Sequence, residues 1–157
     1  MADFALPRIP ASAGALIREG TGRLLILKPT YKSGWTVPGG QLEEDGESPW
    51  EGCRREVLEE TGLTVDAGRL ACVDFLRPRP RRPGGLRFLF DCGTIGTAAR
   101  DRIVLQAEEI SECRWVTPDE AGHRLSGPVG RRVGQALAAA AGTLYLEDGR
   151  PVPGVTR

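Results

Sequence analysis

The sequence is poor in the residues that most catalytic and redox chemistry needs. Its single histidine, His123, has no sequence neighbour that would make it a metal ligand or a base, and it reads as a surface or capping residue. Cysteine is almost as sparse: Cys53, Cys72, Cys92 and Cys113 stand singly, without a CxxC pair or a Cys/His cluster. That excludes a disulfide framework and a zinc site of ordinary spacing, and fits reduced, mostly structural thiols in a cytoplasmic protein. Net charge is absent, with 21 basic residues against 21 acidic ones. A general nucleic-acid or membrane-surface binder is therefore not expected, and any basic site must be local. No apolar run reaches membrane length, and the N-terminus lacks the basic-plus-apolar build of a signal peptide. No internal repeat is present. At 157 residues the chain reads as one domain, 1–157, long enough to bury most of its apolar surface, with residues 1–11 as a loose arm.

What is present is concentrated between Gly39 and Leu63, GGQLEEDGESPWEGCRREVLEETGL. Local chemistry delimits a short helix there. Ser48 can serve as N-cap, Pro49 fits the first helical position, and Glu51 at the third completes a capping box. Gly62 closes the helix as the residue best able to take the left-handed C′ conformation. At ~100° per residue, Trp50, Cys53, Val57 and Thr61 form one mostly apolar stripe. Glu56, Glu59 and Glu60 fall together on an adjoining face, with Arg55 beside them. An acidic helix face is commonly just solvated, since each like-charged pair costs only about 0.2–0.5 kcal/mol. Here a WTVPGG strand end is delivered straight into the helix, and the two glycines permit a backbone carbonyl to approach a ligand closely. Oxygen ligands in that setting suit a hard cation such as Mg²⁺.

These residues resemble the Nudix box: Gly40, Glu47, Arg55-Glu56-Val57, Glu59-Glu60 and Gly62-Leu63. From Glu47 to Leu63 every spacing matches, while six residues separate Gly40 from Glu47 where the family has five. The resemblance implies an α+β Nudix fold, with a mixed β-sheet sandwiched between α-helices. It also implies hydrolysis of the pyrophosphate bond in a nucleoside diphosphate linked to another moiety, such as a nucleotide sugar, ADP-ribose or a nucleoside triphosphate. Mg²⁺ is the implied cofactor, with Mn²⁺ as a substitute. By the same resemblance Glu56, Glu59 and Glu60 are metal ligands, with Gly40 adding its carbonyl and Glu47 an outer role. Arg55 orients the carboxylates, and Glu56 is a general-base candidate. A further acid from a later loop completes such sites. Glu108 and Glu109 are available, and Glu109 is preferred by its spacing to Trp115. Family members are often dimers, so a homodimer stays open, as does capped RNA among the nucleotide substrates.

Outside the box, Ser12–Arg18 and Arg23–Lys28 are apolar runs across a Glu-Gly-Thr-Gly turn, the pattern of a β-hairpin. The second run is apolar on both faces, as a central strand would be. Thr64–Phe75 and Leu86–Ile95 read as a strand pair across the loop RPRPRRPGG, residues 77–85. Arg79, Arg81, Arg82 and Arg87, with Arg77, make a candidate clamp for substrate phosphates, because guanidinium binds phosphate oxygens bidentately. Cys113–Val116 is a short strand, and Thr117-Pro118-Asp119-Glu120 is a second capping box with proline at N1. A final helix over Val129–Ala141 has Val133, Leu137 and Ala140 or Ala141 inward, and Thr143–Pro153 adds a terminal strand and turn. Trp35 reads as a packing residue. Two other functions remain on this fold: a silent nucleotide-sensing module and an enzyme resembling isopentenyl diphosphate isomerase. The complete set of box acids speaks against the first. The lack of a recognisable cysteine motif speaks against the second.

Overall fold

A computed structural model of the chain describes residues 4–139 and 141–155. The elements run β1 (Ala11–Arg18), β2 (Leu24–Pro29), β3 (Gly39–Gln41), α1 (Pro49–Thr61), β4 (Arg69–Leu76) and β5 (Gly85–Thr94). They continue with α2 (Thr97–Asp101), β6 (Ile110–Val116), α3 (Pro118–Arg124), α4 (Gly127–Ala138), β7 (Leu144–Glu147) and β8 (Arg150–Pro151). The strands form one mixed sheet in the order β6-β2-β1-β5-β4-β7-β8, with β3 also paired to β1. The pairs β1–β5 and β4–β7 are parallel, and the others are antiparallel.

Side chains alternate between faces along a strand, so each half of the core draws on alternate residues of β1 and β2. Ala13, Ala15, Ile17, Leu25 and Leu27 pack with Cys53 and Val57 of α1. Leu16, Leu24 and Ile26 pack instead with Ala121, Leu125, Val133 and Ala136 of α3 and α4. The sheet is therefore covered by helices on both faces, the layered α+β arrangement that lets each apolar surface be buried. A buried ion pair ties α4 to the sheet. Arg132 donates from Nε to Asp74 Oδ2 at 2.8 Å, and the Gly149 N–H donates to Oδ1 at 2.9 Å.

Several expectations are corrected by this topology. The β1–β2 hairpin exists only next to its turn, at Arg18↔Leu24. Beyond it β1 leaves its neighbour, because β3 and β5 pair with it from opposite edges. Residues 64–68 are not strand, and β4 begins at Arg69. Of the arm, residues 4–10 carry no regular structure, Ala11 already belongs to β1, and residues 1–3 lie outside the described residues. The last helix begins at Gly127 and ends at Ala138, so Ala136 takes the inward place; Ala141 is exposed and Ala140 lies outside the described residues. The short helix α2, which has no side-chain cap hydrogen bond, was not signalled by local chemistry.

Candidate active site

Helix α1 is built as its caps dictate. Ser48 accepts from the Glu51 N–H at 3.1 Å, Glu51 accepts from the Ser48 N–H at 3.1 Å, and Gly62 closes the helix at φ 74°. Cys53, Val57 and Thr61 are buried, and Trp50 lies 5.1 Å from the Phe90 ring at the end of the stripe. This fixes the rotation of the helix and carries Arg55, Glu56, Glu59 and Glu60 to its edge beside β3.

Arg55 is the hub of the acidic group. Its Nε and Nη2 meet the two oxygens of Glu47 at 2.6 and 2.9 Å, and Nη1 reaches Glu56 at 3.0 Å and Glu59 at 3.1 Å. Nη2 also donates to the Gln41 carbonyl at 3.1 Å, joining the helix to the end of β3. The pairing holds the Glu47 carboxyl below its usual range and raises the Arg55 pKa. The residue added between Gly40 and Glu47 is absorbed in the turn at 44–46, where Gly46 has φ 89°. It does not displace Glu47 from Arg55.

Glu60 differs from the others. An acidic helix face is commonly solvated, yet Glu60 is only 2 % exposed. It accepts one bond, from the Gly39 N–H at 2.7 Å. Burial pushes its pKa up to about 8, against the Gly39 bond, and the charges of Glu56, Glu109 and Glu59 add to the rise. Glu56 is also raised, chiefly by burial, with Arg55 opposing and Glu59 and Glu109 contributing. Glu109 thus lies within electrostatic reach of both acids. Its backbone anchors the loop to the end of β2, because Thr30 N–H donates to the Glu109 carbonyl at 2.8 Å.

The two glycines of β3 are the partition between this acidic group and a cleft of about 320 Å³. Gly39 has φ 155°, and a side chain there would overlap the backbone of Ala13 and Gly14. A side chain at Gly40 would overlap the Glu56 carboxylate. The same glycines line the cleft, together with Ser12–Gly14, Tyr31, Lys32, Thr36–Pro38, Gln41, Arg87–Leu89, Val129 and Arg132. A larger concavity, about 430 Å³ beside Trp115 and Arg100, contains none of the expected residues, and its carboxylate Glu19 is bonded to Thr21 and Arg23.

The expected arginine clamp is not gathered at the cleft. Arg77 pairs with Glu147, and Arg77, Arg79 and Arg82 face Asp148 in the β7–β8 turn at 3.5–3.9 Å. Arg81 is exposed, and of the set only Arg87 lines the cleft. Trp35 packs on the α3–α4 side of the core with the guanidinium of Arg114 5.1 Å from its ring centre. His123 is exposed in the last turn of α3. Sequence reasoning missed Tyr31, Lys32 and Arg132. Tyr31 and Lys32 stand shortly before the PGG stretch, which was a usable signal, whereas nothing local distinguishes Arg132 from a solvated helix arginine.

The donor set fits a hard divalent cation. Every available ligand is an oxygen, Glu60 is a buried carboxylate with one backbone partner, and the Glu56 carboxylate lies against Gly40 where a Cβ would stand. Among the described residues no three such groups already converge on one point; Glu47, Glu56 and Glu59 are gathered around Arg55 instead.

Comparison with known proteins agrees with this arrangement. The model of the NUDIX domain family matches residues 8–136. A MutT-like protein of Streptomyces ambofaciens is 34% identical over 138 residues, covering 88% of this chain and 82% of that protein. The crystal structure of a MutT protein from Methanosarcina mazei Go1 superposes with a TM-score of 0.64 at 29% identity, covering 78% of this chain and 88% of that one. The NUDIX domain of Shewanella oneidensis NrtR, solved in complex with ADP ribose, has the same fold: TM-score 0.69 at 16% identity, over 85% of this chain and 89% of that one. The fold and the helix place the chain among hydrolases that use divalent metal ions. It belongs to the Nudix family.

Proposed function

We propose that the protein hydrolyses the pyrophosphate bond of a nucleoside diphosphate linked to another moiety, with Mg²⁺ as cofactor and Mn²⁺ as its substitute. The observation that carries this reading is Glu60, a buried carboxylate held against the glycine edge that also lines the cleft. Glu56, Glu59 and Glu60, with the Gly40 carbonyl and Glu47, are the residues that would hold the ion. When bound, such an ion supplies charge neutralisation at the phosphates and lowers the pKa of water.

The chain's own residues do the rest. Arg55 orients three carboxylates through a rigid guanidinium fork, which a lysine would not reproduce. Water attacks one phosphorus in line. A new P–O bond forms, the bridging P–O bond breaks, and the water's proton passes to a carboxylate. Glu56, whose burial raises its proton affinity, and Glu109, on the facing loop, are the two bases available. The cleft accepts the nucleotide and its partner moiety, and the ADP ribose held by the Shewanella domain is of that class. An isomerase reading is disfavoured by the cysteines, none of which is among the residues lining the cleft. Burial pushes the Cys72 thiol up to about 12, and Cys53 is raised by its neighbour Cys92 and by burial.

The test is a phosphate-release screen with and without Mg²⁺ over nucleotide sugars, ADP-ribose, nucleoside triphosphates, dinucleoside polyphosphates and capped RNA. Metal-dependent turnover of one class, reduced by orders of magnitude in Glu60→Gln, is expected. A Glu109→Gln variant at the wild-type rate makes Glu109 a turn residue. No turnover of any class, with nucleotide still bound, points to the sensing module.

A further inference from the structure

Arg87 is a half-buried cation that the fold leaves without a carboxylate. In register, Gln41, Ser12, Arg87 and Asp74 form one rung across β3, β1, β5 and β4. Residues on one rung share a face of the sheet, so Asp74 is the natural partner of Arg87. Both Asp74 oxygens are occupied, one by Arg132 and the other by the Gly149 N–H. Arg87 is left with two long bonds, 3.3 and 3.4 Å, to the carbonyls of Leu86 and Gly84. Among the described residues no carboxylate forms an ion pair with it. Burial and the charge of Arg132 lower its pKa, with Arg82 adding to the fall and the more distant charge of Asp74 opposing it. A desolvated cation beside another cation is stabilised most by an anion.

Arg87, Arg132 and Lys32 all line the cleft that begins at Gly39 and Gly40. On the shared rung Arg87 lies two strand spacings from Gln41, on the order of 10 Å across the sheet. The glycine edge and Arg87 therefore stand on strands to either side of β1. Resting on the hydrolase reading above, we infer that Arg87 is a specificity-determining residue that binds a phosphate of the substrate additional to the pyrophosphate being cleaved. Arg132 supports it as a second cation, held in place by Asp74. The preferred substrate class is accordingly a pyrophosphate-linked nucleotide that also carries a phosphate monoester.

Matched pairs differing by one phosphate monoester test this: NADPH against NADH, and coenzyme A against 3′-dephospho-coenzyme A. The readout is the ratio of kcat/KM within each pair, measured for wild type, Arg87→Gln and Arg87→Lys. Wild type favours the phosphorylated member of at least one pair by about 10- to 100-fold, the worth of a charge-assisted contact. In Arg87→Gln that ratio falls toward one through KM, and Arg87→Lys restores part of it. A ratio that is the same in wild type and Arg87→Gln overturns the assignment. Calorimetric binding of the same pairs separates the two claims. If wild type turns over none of them, the hydrolase reading fails for this class. A phosphate-dependent affinity abolished by Arg87→Gln then still upholds the role of Arg87, and its absence overturns it.

Discussion

Replacing Glu60 with glutamine should stabilise the metal-free protein, and the gain should grow with pH. Glu60 has an ordinary value of 4.5 in the unfolded chain and about 8 in the folded one. The folded protein therefore keeps a proton that the unfolded chain gives up above pH 4.5. Stability owed to this group is complete below that point and declines until pH passes about 8. The slope is about 1.4 kcal/mol per pH unit, so the loss is about 3 kcal/mol by pH 7 and levels off just under about 5 kcal/mol near pH 8. Glutamine carries no charge to desolvate and can still accept from the Gly39 N–H. Urea unfolding in EDTA at pH 5 and pH 7.5 provides the comparison. The variant should lie within about 1 kcal/mol of wild type near pH 5 and exceed it by about 3–4 kcal/mol at pH 7.5. Added Mg²⁺ should then stabilise wild type and leave the variant almost unmoved. A variant that is equally or less stable at both pH values refutes the argument that Glu60 is held against its charge.

Three further outcomes follow from the same geometry. Arg55→Lys keeps a positive charge but loses the fork that reaches Glu47, Glu56 and Glu59, so kcat should fall about 10- to 100-fold in steady-state assays with little change in far-UV circular dichroism. Gly40→Ala places a methyl group where the Glu56 carboxylate lies, and should reduce metal-dependent turnover at least about tenfold; full activity would show that Glu56 can move aside. Asp74→Ala leaves the buried Arg132 guanidinium uncompensated and should cost about 3–5 kcal/mol in urea unfolding. Asp74→Leu combined with Arg132→Met should recover much of that loss, because paired apolar groups replace the paired charges.

What was legible in the sequence is what depends on neighbouring residues. The limits of α1 follow from Ser48, Pro49, Glu51 and Gly62, and the start of α3 from Thr117 and Glu120, whose reciprocal bonds are both present. The grouping of Arg55 with Glu56 and Glu59 is equally local, since one helical turn contains it. The errors arise where distant segments compete. β1 reads as half of a hairpin, but β3 and β5 claim most of its edges, and nothing within Ser12–Arg18 announces a parallel partner some seventy residues away. The burial of Glu60 depends on β3 crossing the helix edge, so helix periodicity alone leaves it solvated. The arginines of the 77–85 loop look free until the chain end brings Glu147 and Asp148 beside them. Arg132 acquires its role only through Asp74, 58 residues earlier.

The central claim is that the acids of α1 hold a divalent cation against the glycine edge of the cleft. Electron paramagnetic resonance titration of Mn²⁺ into wild type, Glu56→Gln and Glu60→Gln measures this without reference to any substrate. The account predicts Mn²⁺ binding by wild type, displaced by Mg²⁺, and affinity at least about tenfold weaker in each variant. Undiminished Mn²⁺ affinity in both variants would contradict it.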